Sequence, residues 1–156
     1  PHVDSAALAR EVVAMARYRG GVRGYSGSPR FAGYGSLGMK EALRVGDEAR
    51  IICQIESDAA VQDAEAIAAV PGVAGLFIGR ADLALSMGLD NSRDERVTQA
   101  TQHVLDAARR AGKLAGMHVS GNAEREKFAA LGADWFVVAS DQTLLRDAAQ
   151  AIAHLD

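Results

Sequence analysis

The chain switches between two periodicities, and the switch repeats. Four apolar runs of strand length, ARIICQIE at 49–56, VAGLFI at 73–78, KLAGMHVS at 113–120 and ADWFVVAS at 133–140, are each followed by a stretch with helical spacing. Those stretches are 58–70, 93–111, 122–132 and DQTLLRDAAQAIAHL at the end. Between 79 and 91, GRADLALSMGLDN reads as a loop containing a helical turn. Strands joined through helices pair in parallel, because a parallel neighbour is reached only by a crossover. Buried parallel strands read as unbroken apolar runs, as IIC, LFI and WFVVA do. The expected class is α/β.

Asp58 is a plausible helix start, while Pro71-Gly72 and Gly132 are stops. Ahead of the first strand, SAALAREVVAMAR at 5–17 is amphipathic, with Leu8, Val12, Val13 and Met15 near one face and Arg10, Glu11 and Arg17 near the other. A glycine-rich segment runs from Gly20 to Gly38, and 39–46 reads as a short helix. The segment lacks both G-K-[ST] and G-x-G-x-x-G before a clear helix, so structural turns are expected, not a phosphate loop.

Content and charge narrow the partners. With 156 residues, 49% of them hydrophobic, a single domain spanning 1–156 is expected. A net charge of −3 without a basic cluster argues against nucleic acid or an anionic membrane, so the expected partner is a small molecule. No apolar run approaches the ~18 residues of a membrane span. Cys53, the only cysteine, lies within an apolar run; it is expected to be a buried, inert thiol in a cytoplasmic protein.

In α/β folds the carboxyl ends of the strands carry the chemistry. Those ends here hold Gln54 and Glu56, Gly79 to Asp82, Met117 to Ser120, and Ser140 with Asp141. Two carboxylates suffice to hold a hard divalent cation when water and substrate oxygens complete the sphere. Glu56 and Asp82, one strand-helix-strand cycle apart, fit that description. On spacing alone a solvated glutamate and a turn-capping aspartate fit as well.

The motifs resemble those of the HpcH/HpaI aldolase family, metal-dependent class II aldolases acting on pyruvate or related 2-oxo acids. QIES stands where that family has Q-x-E-S, and LFIGRADLA where it has G-x-F-I-G-P-A-D-L-S. PHVDSAALA, VRGYSGSPRFAGYG, AGKLAGMHVS and GADWFVVASDQTLL extend the resemblance across essentially the whole chain. It implies a (β/α)8 TIM barrel, of which this chain covers the end of strand 4 through strand 8 and its helix. It also implies that Glu56 and Asp82 bind Mg²⁺, Mn²⁺ or Co²⁺. A 2-oxo acid would chelate that cation and form an enolate that joins, or is released from, an aldehyde. Gln54 would face the pocket as a neutral hydrogen-bonding group, with the N–H groups of Ala81 and Asp82 receiving the substrate carboxylate.

Arg80 replaces the proline of the usual pattern. It is either a solvent-facing loop residue or a guanidinium for an acidic substrate. Met117 and His118 stand where the family lines the aldehyde side of the pocket, and Arg23, Tyr25 and Ser26 where a segment closes the site or meets another subunit. His103 and His154 are expected on helix surfaces, and His2 on the tail of a preceding strand. The resemblance places the family's base histidine, its partnering aspartate and an arginine for the keto oxygen in an earlier half without counterpart here, so no catalytic base is assigned. Beginning on Pro1 is what a cut polypeptide would show. A homo-oligomer, a companion N-terminal fragment, or both are expected. The alternatives are a citramalyl- or malyl-CoA-type lyase, which basic residues near the site would favour, and a non-catalytic half-barrel that binds or assembles.

Overall fold

The structure, a computed structural model, describes residues 1–153. Helices α1 (Ala6–Ala16) and α2 (Met39–Asp47) precede β1 (Ile51–Ile55). The chain continues through α3 (Asp58–Gln62) and α4 (Ala64–Ala69) to β2 (Val73–Ile78), then α5 (Arg80–Ser86) and α6 (Glu95–Arg110) to β3 (Leu114–Val119). It closes with α7 (Asn122–Ala130), β4 (Trp135–Val138) and α8 (Asp141–Ala153). The four strands form one sheet in the order β1-β2-β3-β4, every pair parallel. Spatial order follows chain order with no reversal, as in a (β/α)8 barrel and unlike a doubly wound sheet. The expected class and repeat are present.

Strand register separates two faces. Ile55, Ile78, Met117 and Phe136 are lateral neighbours on one, and Gln54, Phe77, Gly116 and Trp135 on the other. The first face packs beneath the helices, where Ile67, Val97, Val104, Leu105 and Phe128 complete the core. On the second, the Phe77 and Trp135 rings lie 5.2 Å apart across Gly116. A Cβ on Gly116 would stand 2.2 Å from the indole, so only glycine permits that approach. Cys53 is fully buried, and desolvation pushes its thiol pKa up, which keeps it in the unreactive form.

Several expected boundaries shift for identifiable reasons. The helix expected over 58–70 is two helices broken at Asp63 (φ −97, ψ 7), whose carboxylate accepts the Ala6 amide at 2.6 Å and anchors α1. The helical turn expected after Gly79 is the full helix α5, and the glycine-rich segment holds a 3-10 turn over Arg30–Gly35. The expectation that this segment closes the mouth of the site is corrected. Helix α1 begins beside the carboxyl end of β1 and returns to its amino end, where Arg17 Nη1 donates to the Ala49 carbonyl at 2.7 Å. Arg23 is at that far end, donating to the Gly46 carbonyl at 3.3 Å with its guanidinium 4.5 Å from the Tyr18 ring. Tyr25 packs edge-on to Tyr18, and the Ser26 hydroxyl pairs with that of Ser28.

His103 is exposed on α6, and His154 lies outside the described residues. Among the described residues, no helix is long and apolar enough to cross a membrane. None of the described residues of α8 is buried, and Leu144, Leu145 and Ile152 are exposed.

Candidate active site

Glu56 occupies the single-residue joint between β1 and Ser57, the N-cap of α3, whose hydroxyl accepts the Ala60 amide. Strand on one side and cap on the other fix its backbone, and the residue is only 4% exposed. One carboxylate oxygen, Oε1, accepts the His2 amide at 2.6 Å and lies 3.2 Å from the His2 ring Nδ1. The other, Oε2, accepts from Gln54 Nε2 at 2.5 Å. Residues 2–4 run beside the end of β1, with the Val3 amide on the Gln54 carbonyl and Asp4 accepting the Ser57 hydroxyl. A strand built for burial therefore ends on an acid oriented from both sides. Oε2 has a lone pair left over, because a carboxylate oxygen accepts two bonds and Gln54 is its one donor among the described residues.

The second carboxylate comes from the next strand end. Gly79 closes β2 with its amide on the Ile55 carbonyl, and the Leu83 amide bonds back to the Gly79 carbonyl. The amides of Ala81 and Asp82 thus fall in the opening turn of α5, where helical N–H groups have no intrahelical acceptor. Asp82 is exposed there and lines a cavity of about 270 Å³ with Gln54, Phe77, Ala81, Ser92 and His118. Ser92 and Phe77 were not foreseen; one lies in a loop and the other in a strand interior, and neither carries a linear signal.

Gly79 lies directly against the Glu56 and Gln54 side chains. A Cβ there would meet Glu56 Cβ at 2.9 Å and both Glu56 Oε2 and Gln54 Nε2 at 3.0 Å. Gly79→Ala is expected to displace that pair and weaken Mn²⁺ binding by about tenfold or more, the scale of lost ligand support. Titration of the variant followed by Mn²⁺ electron paramagnetic resonance checks this, and unchanged affinity contradicts it.

At the end of β3 the two neighbouring expectations separate. His118 faces the cavity, its Nε2 3.2 Å from the carbonyl of Ala139, a residue in the left-handed region at φ 58. Met117 is corrected: it is fully buried on the helix-side face beside Ile78 and Phe136, because consecutive strand residues point to opposite sides.

Arg80 also lines the cavity, and its guanidinium is held by protein acceptors. Nη2 donates to Glu124 Oε1 at 2.8 Å and to the His118 carbonyl at 3.2 Å. Burial raises the Glu124 pKa, but the Ser120 amide, Arg80 and the Ser120 hydroxyl outweigh it and hold the carboxyl below the usual range. The stabilisation is therefore complete above the ordinary carboxylate pKa and lost as pH falls through the depressed one. Glu124 was not foreseen; an acid in the first turn of a helix is unremarkable on its own.

The donor types suit a hard divalent cation: Glu56 follows β1 and Asp82 opens α5 after the adjacent strand β2, and both offer carboxylate oxygens. Among the described residues no group of three His, Cys, Asp or Glu side chains gathers.

The family model described as HpcH/HpaI aldolase/citrate lyase matches residues 1–148. A 5-keto-4-deoxy-D-glucarate aldolase of Klebsiella pneumoniae is 36% identical over 155 residues, covering 98% of this chain and 60% of the relative. A hydroxypyruvate/pyruvate aldolase of Chromohalobacter salexigens is 38% identical over 152 residues, 96% of this chain and 59% of the relative. The crystal structure of an HpcH/HpaI aldolase/citrate lyase family protein from Burkholderia cenocepacia superposes with a TM-score of 0.89 at 32% identity, covering 99% of this chain and 63% of that one. The chain spans about 60% of the length of the curated relatives it matches.

Proposed function

The chain belongs to the HpcH/HpaI aldolase/citrate lyase family, and on that premise we propose that it supplies the metal centre and part of the 2-oxo acid pocket of a divalent-metal-dependent class II aldolase. The proposed reaction forms or cleaves a carbon-carbon bond between pyruvate, or a related 2-oxo acid, and an aldehyde. The observation that supports it best is the buried Glu56 carboxylate, oriented through both oxygens at the end of β1, with Asp82 lining a cavity at the end of the adjacent strand β2.

Glu56 and Asp82 hold the cation, for which Mg²⁺, Mn²⁺ and Co²⁺ are the proposed identities. When bound, such a cation supplies a Lewis acid that stabilises negative charge developing on a keto oxygen. The protein's own groups orient the substrate. Gln54 gives one N–H to Glu56 and keeps a second N–H and its carbonyl oxygen for substrate or water. The unpaired amides of Ala81 and Asp82 receive the 2-oxo acid's carboxylate. His118 forms the wall on the aldehyde side. No residue of the chain is assigned the base.

The thioester-lyase reading loses its main support, because Glu124 neutralises the basic residue expected to favour it. Apolar side chains exposed along α8 and the outer edge of β4 support association with further polypeptide, a second copy or a complementary fragment. A reducing cytoplasm is the proposed compartment, on the single buried thiol of Cys53.

The test is pyruvate in D₂O with Mg²⁺, Mn²⁺ or Co²⁺, following the methyl proton signal by NMR. With a companion polypeptide present to supply the base, metal-dependent loss of that signal, abolished by Glu56→Ala, is the expected result. No exchange by folded, metal-loaded protein overturns the aldolase chemistry for this chain and leaves a metal-binding half-barrel.

A further inference from the structure

Arg80 is the one position inside the GRADL motif that departs from the G-P-A-D-L pattern. Proline at the first residue of a helix locks φ and so stiffens the turn. Arginine gives up that lock, and here the stiffness returns through the side chain. Arg80 is only 12% exposed and Glu124, its ion-pair partner, 18%. The guanidinium carbon lies 4.6 Å from the centre of the Phe128 ring, which holds it from below. Glu124 Oε2 in turn accepts both the amide and the hydroxyl of Ser120, at 2.8 and 3.0 Å. An unbroken path therefore joins the turn carrying Asp82 to the loop after β3, and a second bond from Arg80 fixes the His118 carbonyl.

We propose that Arg80 is a positioning residue: through Glu124 and the His118 carbonyl it fixes the loop after β3 against the turn carrying Asp82, setting the orientation of the Asp82 carboxylate and of the His118 wall. The inference rests on the reading of Asp82 as a metal ligand. It assigns Arg80 no contact with substrate. Nη2 serves two protein acceptors and Nε is buried without a partner, so the bracing contacts run through Nη2.

The test uses the full chain and four variants: Arg80→Met, Arg80→Lys, Glu124→Gln and the Arg80→Met/Glu124→Gln double. Two readouts are taken, Mn²⁺ affinity by electron paramagnetic resonance and hydrogen exchange of the Ser120 amide by NMR. Arg80→Met keeps the apolar stem over Phe128 and removes the donors. It and Glu124→Gln are each expected to weaken Mn²⁺ binding by about tenfold and to speed Ser120 exchange by about tenfold. The double is expected to lose no more than either single, because both break one path, and Arg80→Lys to recover part of the loss. Should Arg80→Met fail to fold by circular dichroism, Glu124→Gln carries the same comparison. Unchanged Mn²⁺ affinity in a folded single variant, or losses that add in the double, overturn the proposal. If the wild-type chain binds no Mn²⁺, the metal reading fails by itself. The brace is then decided by Ser120 exchange: faster in both singles sustains it, and unchanged exchange overturns it.

Discussion

Replacing Glu56 by glutamine is expected to lower the Mn²⁺ affinity of the chain by about a hundredfold or more, since loss of a ligand exceeds the 10–100-fold effect of losing a ligand's support. The substitution preserves shape and removes the charge, so cavity and strand joint stay in place while the cation loses a carboxylate. Both donors to Glu56 remain, and the Gln54 amide now faces an amide in place of an acid. Asp82→Asn is expected to fall in the same range, because among the described residues neither carboxylate is backed by a third. Titration of each variant with Mn²⁺, with circular dichroism confirming the fold, decides the matter. A folded Glu56→Gln that binds Mn²⁺ as the wild type does would place the cation elsewhere.

Phe128→Ala carries the largest expected effect on stability. Phe128 is 1% exposed, on the face of α7 turned to the core, and also lies under the Arg80 guanidinium. Truncating a buried phenylalanine costs about 3–5 kcal/mol, through lost transfer energy and the cavity left behind. Against a typical total of about 5–15 kcal/mol, that is a large fraction. Urea unfolding should show a lower midpoint at unchanged slope. A cost below about 1 kcal/mol, the ordinary effect of a surface change, would mean that α7 is not held by this side chain. Site and stability meet here, because the ring that anchors α7 also seats the arginine bracing the cavity.

The sequence carries the repeat and the address of the carboxylates more clearly than their surroundings. VAGLFI is bounded by Pro71-Gly72 and Gly79, breakers on both sides, and β2 begins and ends with that run. The break in the helix after β1 is not legible, because its cause is long-range: Asp63 takes the amide of Ala6. Arg80 and Glu124 are likewise 44 positions apart, and no local pattern joins them. In AGMHVS the small residues before Met117 leave no alternation to read, so strand parity alone does not say which neighbour faces the cavity. Pairing of Met117 with Ile78 decides it. The glycine-rich segment shows its composition but not its end of the sheet, which follows from the antiparallel course of α1.

The most direct measurement is anomalous diffraction from crystals of the chain grown with Mn²⁺. The account predicts one strong peak between the carboxylates of Glu56 and Asp82, at about 2.0–2.2 Å from an oxygen of each, the range for small hard divalent cations. A peak at other residues, or none at Mn²⁺ concentrations that saturate binding in solution, would contradict the assignment of these two acids as the metal centre.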